Sequence, residues 1–88
     1  MRKEPIANTE SARFVEELLN ELRMEGCTVL KRKSGIYEIE FEGDSVSIEI
    51  YPQEKRIDLS FDMGRAVEKV MEICHKLGWK ISLTSYED

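Results

Sequence analysis

The sequence has few of the residues that mark metal centres, disulfide frameworks or membrane spans. Its 88 residues include two cysteines and one histidine. These three cannot complete a tetrahedral zinc site without an acid ligand, and their spacing matches no zinc finger or ribbon. No segment approaches the roughly 18 consecutive apolar residues that a membrane-spanning helix requires. We therefore predict no metal site, no cofactor and no membrane span.

Basic residues are also fewer than acidic residues. The chain has 13 basic and 18 acidic residues, which gives a formal net charge of −5. A global attraction to nucleic acid or to an anionic membrane is therefore disfavoured, and such binding would need a local basic patch. Residues 1–8 are polar with no apolar run behind their basic residues, so we do not expect them to be a secretory signal. We expect a cytoplasmic protein.

The groups needed for catalysis are not brought together by the sequence. Glycine-rich phosphate loops are absent, and no serine lies in a nucleophile elbow. Cys74 and His75 are adjacent, but neighbours on a helix point about 100° apart and cannot form a dyad. Cys27 and Cys74 fall on apolar faces, as small buried hydrophobes do, and a single disulfide between them stays open. We predict no catalytic residue.

Apolar residues make up 41% of the chain and follow regular periods, which predicts one folded domain over residues 1–88. Its first eight and last four residues, 1–8 and 85–88, are expected to be polar extensions. Helical spacing of apolar residues predicts a first helix over 9–25, with Asn8 or Thr9 as its N-cap and Gly26 as its stop.

A second amphipathic segment predicts a helix that ends at Gly78. Asp62 is its expected N-cap, and Phe61 is expected to pack on Ala66 in the first turn. Between the two helices, and again after the second, the apolar period changes to two, which indicates half-buried strands. Gly43-Asp44 is expected to form a two-residue hairpin turn. The five predicted strands cover residues 27–32, 37–42, 46–51, 57–62 and 79–84.

The predicted element order is α-β-β-β-β-α-β, which indicates an α+β fold. Two amphipathic helices and a sheet with one apolar face can bury their apolar surfaces only if both helices lie on that face, giving a two-layer sandwich. The last strand can lie beside the first, giving a fully antiparallel sheet of order 5-1-2-3-4, or beside the fourth in parallel. We favour the order 5-1-2-3-4, because antiparallel pairs are more common.

Alternation also places a cluster of acids on the exposed face of the predicted sheet. Like charges opposite one another across strands cost free energy, so this cluster is a solvated face, a docking surface for a basic partner, or a set of carboxylates that holds a divalent cation. An exposed sheet edge, or the open face itself, further predicts a homodimer. The residues of the candidate docking surface are Glu38, Glu40, Glu49, Tyr51 and Asp58.

A short basic hairpin provides the first alternative function, contact with nucleic-acid phosphates. Basic side chains at a hairpin tip can meet a phosphate backbone, although no aromatic residues are interleaved for base stacking. The candidate phosphate contacts are Lys31, Arg32, Lys33, Lys55 and Arg56.

A second alternative is a metal-dependent hydrolase that uses Glu38, Glu49 and Asp58. The element order is similar to the core of metal-dependent nucleases of the restriction-enzyme type, which need an acid-x-Lys motif on one strand. Here the third strand reads Glu49-Ile50-Tyr51 and lacks the lysine. We therefore favour a non-enzymatic interaction or regulatory module, such as an adaptor, a client chaperone or an inhibitor.

Overall fold

The computed structural model describes residues 6–60 and 64–84, and this part of the chain forms an α+β fold as predicted. A short 3-10 turn, Pro52–Glu54, links the third and fourth strands. The elements are α1 Ile6–Met24, β1 Thr28–Lys33, β2 Ile36–Phe41, β3 Asp44–Tyr51, β4 Arg56–Ser60, α2 Arg65–Leu77 and β5 Lys80–Thr84.

The strands lie in the order β1-β2-β3-β4-β5. The first four are antiparallel neighbours, and β5 pairs with β4 in parallel. The expected order 5-1-2-3-4 is therefore wrong. The 13 residues of α2 return the chain beside β4, as in a β-α-β crossover, whereas a place on the far side of β1 would require the chain to pass three strands, a displacement of about 19 Å.

The apolar sides of both helices pack on one face of the sheet, which we call the inner face. Alternate residues of β2, β3 and β4 point into this core, and Ile39 and Ile57 are fully buried. Burying each such side chain stabilises the fold by about 1.5–3 kcal/mol. The buried residues are Leu18, Leu19, Leu22, Cys27, Ile39, Val46, Ile48, Ile50, Ile57, Leu59, Ala66, Val67, Val70, Ile73, Cys74 and Trp79.

The C-terminal ends of the helices follow the prediction, but the N-terminal end of α1 does not. Gly26 and Gly78 both adopt the left-handed conformation, with φ of 96° and 81°. The helix α1 begins at Ile6, so Asn8 and Thr9 lie inside it and the predicted N-cap is wrong. Capping residues are also tolerated within helices, so residue type alone does not fix where a helix starts.

The N-terminus of α2 is capped by a residue from a distant strand. The N-cap position is Gly64, and the Asp44 carboxylate accepts a hydrogen bond of 3.1 Å from the backbone N–H of Ala66. A Cβ atom at position 64 would collide with that carboxylate and displace it, so glycine permits this close approach. Asp62 and Phe61, which were expected to start this helix, lie outside the described residues.

The turn between β2 and β3 is displaced by one residue from the prediction. Phe41 pairs with Asp44, so the two loop residues are Glu42 and Gly43, both with positive φ, as in a type I′ turn. Asp44 is thereby kept as the first residue of β3, from which it reaches α2. Within residues 6–60 and 64–84, no helix combines the length and apolar content needed to cross a membrane.

Candidate functional site

The face of the sheet opposite the helices, here called the outer face, carries all five residues of the candidate docking surface. Glu49 lies opposite Asp58 on β4 and opposite Ile36 on β2. Glu38 and Glu40 lie on β2 at the alternate positions, and Tyr51 lies two residues beyond Glu49 on β3. The structure thus brings the five predicted residues to one surface, because each alternates with a residue of the inner face.

The charge of Glu38 is neutralised by Arg32, a residue that was predicted to be a phosphate contact. A bulge in β1 inserts Arg32 between Lys31 and Lys33. The Arg32 guanidinium donates from Nε to Glu38 Oε1 at 2.9 Å, and its Nη2 also contacts this oxygen. These hydrogen bonds hold the pKa of Glu38 below its ordinary value, against a smaller opposing effect of desolvation.

Asp58 is also paired with an arginine. Arg56 donates from Nη1 to Asp58 Oδ1 at 2.6 Å and from Nε to Glu54 Oε1 at 3.0 Å. Its guanidinium carbon lies 4.2 Å from the centre of the Tyr51 ring, which is a cation–π distance. Partial burial, followed by the carboxylate of Glu49, raises the pKa of Tyr51. The charge of Asp58, which lies opposite Glu49, is therefore offset by Arg56.

Two acids of the docking surface remain open. Glu40 and Glu49 are exposed, and within the described ranges neither takes part in a salt bridge. Beside them on the outer face lie the half-buried side chains of Leu30, Ile36 and Tyr51. The outer face is consequently less acidic than the sequence indicates, and it combines two exposed carboxylates with apolar surface.

An open cleft of about 330 Å³ lies beside Glu40 at the β2–β3 turn. It was not expected from the sequence, because it forms between segments that are distant along the chain. Two of its carboxylates have partners: Asp44 caps α2, and Glu42 accepts a hydrogen bond of 2.9 Å from Arg65. The lining residues are Gly26, Thr28, Glu40, Phe41, Glu42, Gly43, Asp44 and Ser45.

The five basic residues of the nucleic-acid alternative do not converge on one surface. Arg32 and Arg56 are bound to carboxylates on the outer face, while the ammonium of Lys55 lies 4.8 Å from the ring centre of Phe14 in α1. Lys31 lies opposite Tyr37, whose position belongs to the inner face. The strands β1 and β4 are also separated by two others, about 14 Å from centre to centre. The five basic side chains therefore do not form one surface that a phosphate backbone could contact.

The described part of the chain contains no set of metal ligands that would support the hydrolase alternative. No group of three histidine, cysteine, aspartate or glutamate side chains in residues 6–60 and 64–84 is placed to hold one metal ion. Glu38 and Asp58, two of the three carboxylates suggested for such a site, are instead bound to Arg32 and Arg56.

Both cysteines are buried free thiols and no disulfide joins them. Burial raises the pKa of Cys27, and it raises the pKa of Cys74 to about 12. A thiol with so high a pKa is protonated at neutral pH and is a poor nucleophile. His75, the neighbour of Cys74, is exposed on the other side of α2.

Comparison with known proteins adds no family to this description, since no family model, curated protein or solved structure matches the chain.

Proposed function

We propose that this protein is a small non-enzymatic interaction module that binds a basic partner protein through the outer face of its sheet. The observation that supports this most strongly is the composition of that face: exposed Glu40 and Glu49 lie beside half-buried Leu30, Ile36 and Tyr51, and neither helix covers them. Protein interfaces combine an apolar core, in which aromatic residues are enriched, with a polar rim that stays in contact with solvent. An adaptor, a client chaperone or an inhibitor would use such a surface.

The charge of the open acids favours a basic partner. Glu38 and Asp58 are already paired with arginines of this chain, so Glu40 and Glu49 are the carboxylates available to lysine or arginine side chains of another protein. Complementary charges at an interface raise the association rate and favour the correct partner over others. Binding should therefore weaken as the salt concentration rises.

The cytoplasm is the compartment that we propose for this interaction. Cys27 and Cys74 are free thiols, and unpaired cysteines of this kind are typical of reducing compartments.

Affinity capture with matched baits tests the proposal. The baits are the native chain, an outer-face variant with Glu40→Lys and Glu49→Lys, and a control with Glu16→Lys and Glu17→Lys, which reverses two exposed charges on α1. Proteins retained from an extract of the source organism are quantified by mass spectrometry, and equal melting temperatures establish that all three baits are folded.

We expect one or more basic proteins to be enriched on the native and control baits and to fall at least about tenfold on the outer-face variant. The proposal fails if no protein is enriched on the native bait, or if the outer-face variant retains the same proteins in the same amounts.

A further inference from the structure

The two edge strands of the sheet differ in how well they are protected against pairing with another chain. The edge strand β1 contains the bulge at Arg32 and three consecutive basic residues, Lys31 to Lys33. Both features are devices that natural sheets use to block edge-to-edge pairing. The opposite edge, β5, pairs with β4 without any shift in register, and its one charged residue is Lys80. Among residues 6–60 and 64–84, the β5 edge therefore carries fewer of these protective features than the β1 edge.

The hydrogen bonds between β4 and β5 establish which backbone groups face this edge. The N–H of Lys80 donates to the carbonyl of Lys55 at 2.8 Å. In a strand, the N–H and C=O of one residue point to the same side, and successive residues alternate. The backbone groups of Lys80 and Ser82 therefore point to β4, and those of Ile81 and Leu83 point away from it. Within the described residues, no strand pairs with this side of β5.

The side chains along this edge are also incompletely covered. Leu83 is 48% exposed, although its position alternates toward the inner face. Ile81, the other residue of β5 on this side, is also partly exposed. Apolar surface thus accompanies the unpaired backbone groups.

We propose that two copies of this chain pair through their β5 strands, antiparallel, about a two-fold axis at Ser82. In this register Ile81 of one copy lies opposite Leu83 of the other. These are the residues whose N–H and C=O groups face outward, so each of the two pairs exchanges two hydrogen bonds. The two five-stranded sheets become one continuous ten-stranded sheet.

A second copy fits this edge because the strand is self-complementary about Ser82. In the sequence, Ser82 is flanked by an apolar residue on each side, Ile81 and Leu83. A two-fold axis at Ser82 therefore places each of these apolar residues opposite an apolar residue of the other copy. The two Lys80 residues lie about 14 Å apart in this register, which exceeds a Debye length of about 8–10 Å.

The pairing does not use the outer-face acids, so it is independent of the proposed function. It also involves only one five-residue strand from each copy. An interface of this size is at the small end of the range for specific complexes, so we expect a dimer that depends on protein concentration.

Cysteine cross-linking tests the register directly. At the two-fold axis, Ser82 faces its own copy as a non-hydrogen-bonded pair with Cα atoms about 4.5 Å apart, within the range that a disulfide spans. The variant is Ser82→Cys, and the matched control is Lys80→Cys, whose two thiols would lie too far apart to bond. The native Cys27 and Cys74 are buried and do not compete. Both variants are oxidised in a glutathione redox buffer after their reduced forms are shown to melt at the parent temperature.

We expect Ser82→Cys to form a disulfide-linked dimer at least about tenfold faster than Lys80→Cys. Equal cross-linking of the two variants, or none in either, would overturn the register.

Sedimentation of the native chain over a range of concentrations provides a second test. Leu83→Pro removes an outward N–H that β4 does not use, which an edge strand tolerates. Met24→Lys is the control, because Met24 is 79% exposed and lies at the end of α1. The native chain and the control should approach twice the monomer mass, and Leu83→Pro should raise the dissociation constant at least about tenfold. A native chain that stays monomeric at about 1 mM, or a Leu83→Pro chain that dimerises equally well, contradicts the proposal.

Discussion

The two faces of the sheet differ in what their side chains contact. On the inner face, Ile39, Ile48 and Ile57 are buried beneath the helices and exposed by no more than 1%. On the outer face, by contrast, charged residues pair with one another, as Arg32 does with Glu38 and Arg56 does with Asp58. Partly exposed ion pairs contribute little to stability, whereas each buried aliphatic side chain contributes substantially. Residues of the outer face can therefore change without loss of the fold.

The largest difference in the free energy of unfolding should come from substituting two neighbouring residues of β4 that point to opposite faces. Ile57→Ala removes a fully buried side chain and should lower the free energy of unfolding by about 2–5 kcal/mol. Asp58→Ala removes a carboxylate that is one quarter exposed and should lower it by less than about 1 kcal/mol. Urea unfolding measures both values. Similar losses for the two variants would show that the faces do not differ as described.

An intermediate effect is expected where the start of β3 meets α2. Gly64→Ala places a Cβ atom against the Asp44 carboxylate and forces it away from the N–H of Ala66. The loss should be about 0.5–2 kcal/mol, the usual value of a helix N-cap. In an Asp44→Ala background the same substitution should cost much less. Equal costs in the two backgrounds, measured as a double-mutant cycle, would exclude the cap.

The smallest effect should be on the free energy of unfolding in acid. It should come from the Arg32–Glu38 pair on the outer face. The hydrogen bonds from Arg32 lower the pKa of Glu38 in the folded state below the ordinary value of 4.5. A carboxyl group with a lowered pKa stabilises the fold above its unfolded pKa, and this stabilisation is lost as the pH falls through the lowered value. Native protein should therefore be more stable than Glu38→Gln at pH 7, and the two should converge in acid.

Urea unfolding of Glu38→Gln and the native chain between pH 7 and pH 3 measures this difference. Arg32→Gln is the matched control and should remove the same pH dependence from the other side of the pair. A difference between native protein and Glu38→Gln that persists unchanged down to the lowest pH would argue against the ion pair as its cause.

Local patterns were sufficient to predict which residues share a face. The period of two in β2, β3 and β4 places Glu38, Glu49 and Asp58 on one side and the isoleucines on the other, and the pairing register confirms this arrangement. The left-handed glycines at the ends of both helices were also predicted, because glycine is the residue that adopts this conformation without strain.

Interactions between distant segments were not accessible from local patterns. The place of β5 depends on the path of α2 across the sheet, and general pairing preferences favoured the wrong neighbour. The cap from Asp44 joins residues 22 positions apart, and the cleft beside Glu40 depends on the same convergence. The neutralisation of Glu38 by Arg32 requires a bulge in β1 that no turn or helix signal in this segment indicates.

Thiol labelling at position 49 shows directly whether the outer face is open to solvent. A thiol introduced by Glu49→Cys should react with a thiol reagent in native buffer at about the rate of the unfolded chain, with one group labelled per molecule. The native Cys27 and Cys74, which are both buried, should remain unlabelled under these conditions. If the thiol at position 49 is as protected as Cys74, the helices cover the face that carries the acids and the account is wrong.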